Sequence, residues 1–145
     1  MTRAARGRII VKMKKLRGAI AILFLLFSSC TLSERLPSLE IGRYKSKSYA
    51  LKEDSQVKPV SIARKNIEKH LEDLKAEAEK LSGFELEGFR YIYTSVDSVN
   101  DILILRYFSP LRKRDKFYAG VQIQALVDPQ NGEIIKLLLS KVPYE

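Results

Sequence analysis

Residues 61–83 read SIARKNIEKHLEDLKAEAEKLSG, and this stretch decides the fold class. Ile67, Leu71, Leu74, Ala78 and Leu81 recur at steps of four, three, four and three, which places them on one stripe of a helix. Lys65, Glu68, Lys69, Glu72, Asp73, Lys75, Glu77, Glu79 and Lys80 take the other faces. Ser61 can cap the start behind Pro59, and Gly83 supplies the left-handed stop. The stripe lasts about two heptads, short of the three or four that a coiled coil needs. The spacing therefore predicts one helix over 61–81 lying on a sheet.

Everything after Gly83 reads as strands. Phe84 and Leu86, then Phe89, Tyr91 and Tyr93, alternate, with a change of phase at Gly88 that suggests a bulge. A turn over 97–101 follows. Residues 102–108 are almost continuously apolar and β-prone, as in a central strand. Residues 109–115 turn at Pro110. Over 117–127 the chain alternates, with Val121, Ile123, Ala125 and Val127 inward and Gln122 and Gln124 outward. Asp128-Pro129-Gln130-Asn131-Gly132 has the composition of a hairpin loop, and 134–139 closes the sheet. The expected fold is α+β, one amphipathic helix packed on a four-stranded antiparallel sheet in the order α-β-β-β-β, occupying residues 61–145.

The N-terminal third has a different character. Lys14, Lys15 and Arg17 precede an apolar run over 19–27, which ends in Ser28, Ser29 and Cys30, the only cysteine of the 145 residues. A charged segment, a short apolar segment and small residues at a cut make a secretory signal peptide. The run is too short for a hydrocarbon layer that needs about 20 apolar residues. Leu26-Phe27-Ser28-Ser29-Cys30 resembles the lipobox of bacterial lipoproteins. That resemblance implies cleavage before Cys30, a thioether-linked diacylglycerol on its sulfur and acylation of its new amino group. Thr31 after the cysteine implies, by the same resemblance, an outer-membrane protein facing the periplasm. Met13, followed by Lys14-Lys15-Leu16-Arg17, makes an alternative start with a compact charged segment. Residues 31–59 carry scattered apolar positions without period, so 30–60 is read as lipid anchor and flexible tether, with an added edge strand as the competing reading.

The charge balance changes once the leader is set aside. The whole chain is +9. Seven of its 26 basic residues lie in 1–29, which holds no Asp or Glu; the mature 116 residues carry 19 basic against 17 acidic side chains, a net of +2. The basic excess belongs to a leader, where it orients the segment across the membrane, so no nucleic-acid partner is expected.

Candidate chemistry is sparse. His70 is the only histidine, which leaves no histidine-based metal cluster, and it reads as a residue of a solvated helix face. With Cys30 acylated there is no thiol nucleophile, the serines lack a nucleophile elbow, and no glycine-rich loop cradles phosphate. Glu85 and Glu87 share one strand face and read as exposed polar positions. No catalytic residue, metal or cofactor is expected, and the chain is not read as an enzyme. The candidate contact residues are the basic cluster Arg112, Lys113, Arg114 and Lys116, suited to anionic head groups or an acidic partner, and the aromatics Tyr91 and Tyr93. Whether those aromatics face the helix or the opposite side is open from the sequence.

The segment 125–135, ALVDPQNGEII, is similar to the terminal hairpin of PepSY-type and cystatin-like periplasmic domains. The resemblance implies a helix wrapped by an antiparallel sheet, in a domain that binds or inhibits. The functional expectation is a lipid-anchored binding or accessory module for another envelope protein. The alternatives are a periplasmic inhibitor or immunity lipoprotein, and a small-ligand carrier.

Overall fold

Pro59 opens a helix instead of blocking one. In the computed structural model, which describes residues 35–45, 49–50 and 57–145, eight elements follow in order. Two short strands come first, β1 (Leu39–Ile41) and β2 (Tyr49–Ala50). Helices α1 (Lys58–Glu68) and α2 (Leu71–Ser82) come next. Strands β3 (Arg90–Asp97), β4 (Ile102–Pro110), β5 (Tyr118–Val127) and β6 (Ile134–Pro143) complete the chain. The signal peptide, Cys30 and the tether positions 31–34, 46–48 and 51–56 lie outside the described residues.

The fold is α+β, and the expected single helix is two. Proline is accepted in the first turn because its missing N–H has no helical acceptor there, so α1 starts at Lys58, three residues before the expected cap at Ser61. The break falls at Lys69–His70. His70 has φ −120° and ψ 20°, outside helical geometry, and its backbone N–H turns back to the Ile67 carbonyl at 2.9 Å. The His70 ring closes the same turn, with Nδ1 2.9 Å from the Asn66 carbonyl. A carbonyl can only accept, so Nδ1 carries the proton. Gly83 ends α2 at φ 79°, its N–H bonded to the Glu79 carbonyl at 2.9 Å.

The sheet has six strands in the order β1-β6-β5-β4-β3-β2. The four-strand antiparallel meander β3 to β6 is as expected; the additions are its two edges. β1 runs parallel to β6, pairing Leu39 with Leu137, and β2 runs antiparallel to β3. The expected tether is thereby corrected. Residues Leu36–Glu145 form one compact unit, and part of the stretch read as tether is strand. Strands of three and two residues are too short to display an alternation, which is why they escape a periodicity search. A Glu77 carboxylate oxygen of α2 accepts the Leu39 N–H at 3.2 Å, satisfying a donor on the edge strand.

Both helices pack on one sheet face. Val60, Ala63 and Ile67 of α1 and Leu74 and Ala78 of α2 meet Leu103, Leu105, Tyr107, Val121, Ile123, Ala125, Val127, Leu137 and Leu139. The inward phase of β5 is the one its alternation predicts. A second, smaller cluster (Ile104, Leu126 and Leu138, with Tyr44 and Ile102) lies on the outer face. There residues 42–45, which follow β1, lie against the sheet. Gln124 receives the Tyr44 N–H at Oε1 (2.8 Å) and donates from Nε2 to the Tyr44 carbonyl (3.3 Å). The Tyr44 hydroxyl donates to Asp97 Oδ2 and receives a bond from Asn100 at 3.3 Å. Residues 42–45 form a strap over the outer face.

Candidate functional site

The site is built on that outer face, from the strap and the two central strands. Arg106 is the only charged residue of β4, and its register partners are Tyr93 on β3 and Gln124 on β5. Arg106 Nη1 donates to Ser95 Oγ, and the guanidinium lies 4.9 Å from the centre of the Tyr93 ring. One hydrogen bond and one stacked ring hold its planar fork in place. Burial pushes the Arg106 guanidinium below its ordinary value; Tyr93 counters this, and the like charge of Arg43 adds to it. The group remains a cation, since arginine does not deprotonate in proteins.

Arg43 and Lys45 flank Tyr44 on the strap. With Tyr44, Tyr93, Arg106, Gln122 and Gln124 they line a polar concavity of about 340 Å³. No carboxylate lines it. Gln124, 2% exposed, is occupied by the strap, whereas the Gln122 amide makes no side-chain hydrogen bond among the described residues.

The basic cluster stands elsewhere, on the loop between β4 and β5. Arg112, Lys113, Arg114 and Lys116 are all exposed. Lys113 pairs with Glu85 at 3.6 Å, a solvent-exposed contact of little energetic weight. Asp115 shapes the loop, its Oδ2 accepting the N–H groups of Phe117 (2.8 Å) and Tyr118 (3.0 Å). Phe117 is left 67% exposed beside the four cations. Tyr144, 49% exposed, donates its N–H to the Phe117 carbonyl at 3.1 Å. The loop is a basic surface with two aromatic side chains in reach of solvent.

Tyr91 and Tyr93 do not act together. Two residues apart on a regular strand they would share a face, but the register slips between them: Tyr91 pairs with Tyr107 and Tyr93 with Arg106. The extra residue in this bulge is Ile92, a second change of phase after the expected one at Gly88, which stands at φ 142° between Leu86 and Phe89, both buried in the helix-side core. Tyr91 goes to the helix side, edge-on to Tyr107 at 5.6 Å and 3.8 Å beneath the Arg64 guanidinium. The face that the sequence left open is thus different for the two: Tyr91 faces the helices, and Tyr93 alone joins the outer face. His70 is engaged with the last turn of α1. Among the described residues, no group of three or more His, Cys, Asp or Glu side chains is placed to hold a metal ion.

Three residues of the concavity escaped sequence reasoning. Arg43 and Lys45 fell in the supposed tether. Arg106 was absorbed into an apolar run, although a lone cation inside ILILRYF is a signal in itself. No family model matches the chain, and no curated protein and no solved structure matches it significantly.

Proposed function

We propose that the chain is a lipid-anchored protein of the bacterial cell envelope, a non-enzymatic binding module for another envelope protein, with the β4–β5 loop as its contact surface. The observation that carries this reading is the conjunction of Arg112, Lys113, Arg114 and Lys116 with Phe117, 67% exposed, on one loop. Charges on such a surface steer encounter and select an acidic partner, while a buried aromatic anchor supplies affinity, often 2 kcal/mol or more. The lipobox-like segment ending at Cys30 supports the address. The helix layer packed on an antiparallel meander fits the cystatin-like arrangement that the terminal hairpin suggests, and domains of that kind bind or inhibit.

The exposed Phe117 also favours a second reading, an inhibitor or immunity lipoprotein that presents this ring to an acid-lined enzyme cleft. The carrier reading has less support. The apolar concavity of about 440 Å³ lies between the end of α2, at Leu81 and Ser82, and the sheet edge at Ile41 and Leu139, as an open groove and not an enclosed cavity.

The test is photocrosslinking from position 117 in the membrane-bound full chain. A discrete crosslinked protein that disappears with Arg112→Glu/Arg114→Glu, while thermal unfolding stays unchanged, supports the reading. Crosslinks to lipid alone, or none, overturn it. Intact mass of the membrane-extracted protein against Cys30→Ala checks the address separately: the acylated, cleaved mass must vanish in the variant.

A further inference from the structure

We infer that the concavity under the strap is an oxyanion site, built for a phosphate group. Arg43, Lys45 and Arg106 converge there from the strap and from the middle of β4, with no carboxylate in the lining. Gathering three cations around a partly desolvated space is unfavourable unless an anion joins them, since like charges a few Å apart repel strongly at the effective dielectric of a protein surface. None of the three has an acidic partner among the described residues. Arg43 and Lys45 are exposed at the rim of the concavity, whereas Arg106 is half-buried and fixed in place.

Two features make the arrangement a site and not a chance gathering of charge. Arg106 is oriented: Ser95 takes one guanidinium donor and the Tyr93 ring supports its plane at 4.9 Å, which leaves the remaining donors to meet oxygens. Arg43 and Lys45 are placed by the backbone between them, because both hydrogen bonds of the Gln124 side chain go to Tyr44. The uncommitted amide of Gln122 adds a neutral donor on the same wall.

The chemistry favours phosphate over carboxylate. A phosphate monoester carries close to two negative charges near neutral pH and offers three oxygens, which matches two guanidinium groups, one ammonium and an amide donor. A volume of about 340 Å³ also admits the phosphate with a substituent of sugar size.

The experiment is a side-chain NMR titration of the folded, soluble chain with inorganic phosphate, at constant ionic strength set by chloride. Saturable shifts of the Arg106 Nε–H and Gln122 amide signals are expected. Arg106→Met, and independently Arg43→Ser on the strap, should each weaken phosphate binding at least tenfold. Arg112→Glu/Arg114→Glu should leave it unchanged, which separates this site from the loop contact. Glucose 6-phosphate binding tighter than inorganic phosphate assigns the source to a phosphorylated sugar. Dihexanoyl phosphatidic acid binding tightest assigns it to a lipid head group. Shifts that do not saturate, that spread equally over the exposed cations, or that persist in both variants overturn the proposal.

Discussion

Tyr44 illustrates how much one side chain can organise. Its backbone clasps Gln124, and its hydroxyl reaches Asp97 and Asn100 across the outer face. Tyr44→Phe keeps the ring against Ile104, Leu126 and Leu138 but removes a hydrogen bond to a charged acceptor. The expected loss is about 1.5–3 kcal/mol, read as a lower urea midpoint at unchanged m-value. Tyr107 gives a pH-dependent counterpart. Burial raises its phenol well above the ordinary 10.0, the Glu68 carboxylate adds to the rise, and Arg64 opposes it. Below pH 10 both folded and unfolded chains keep this proton, and its contribution is complete. Above that the unfolded chain releases the proton first, so stability falls as pH rises. The stability difference between wild type and Tyr107→Phe should therefore shrink with pH above about 10 in urea melts. At this scale the sequence is a poor guide: nothing in Tyr91-Ile92-Tyr93 announces that Ile92 is an extra residue and that the two rings part company.

Among the elements, the long ones were legible and the short ones were not. The meander β3 to β6 follows from alternation and turn chemistry, and the hairpin between β5 and β6 sits where its Asp-Pro-Gln-Asn-Gly composition puts it. Asp128 and Asn131 cap their own turn, and Gly132 takes φ 79°. A methyl group on Gly132 would also sit 2.8 Å from the Pro59 carbonyl at the start of α1. Gly132→Ala should accordingly cost about 1–3 kcal/mol, measured by thermal unfolding, because it adds backbone strain and forces the hairpin away from the helix. The helix break escaped notice because the apolar stripe runs unbroken through it; Ile67, Leu71 and Leu74 keep their spacing while the backbone at His70 departs from helical geometry. β1 and β2 were invisible for another reason. Their identity as strands depends on partners far along the chain, and two or three residues carry no period of their own.

For the whole molecule, the sheet's two faces have different tasks. One is filled by helices with apolar side chains; the other carries a small apolar cluster beside polar side chains under the strap, and there the candidate site assembles. Position in the fold, more than residue type, made Arg43, Lys45 and Arg106 neighbours, so no motif could have named them together. The strands on either side of the strap, β1 and β2, cover both edges of the meander. A chain lacking residues 1–50 would leave the open edges of β3 and β6 and the apolar outer cluster uncovered. It is expected to self-associate at micromolar concentration, seen as multimers by size-exclusion chromatography with light scattering, where the chain from residue 31 stays monomeric.

The strap also has a temporal side. Leu39 pairs with Leu137, and Tyr44 is clasped by Gln124, so the first-made part of the folded unit waits for nearly the last. Contacts of such sequence separation close large loops, and they form late on the way to the native state. Folding is then expected to begin in the helices and the meander, with the strap laid down at the end. In stopped-flow experiments Tyr44→Phe should leave the refolding rate almost unchanged and accelerate unfolding, carrying nearly all of its destabilisation in that one limb of the chevron. The same order makes the concavity a late product of folding: until the strap docks, Arg106 stands alone on its strand, and an anion has nothing to bridge.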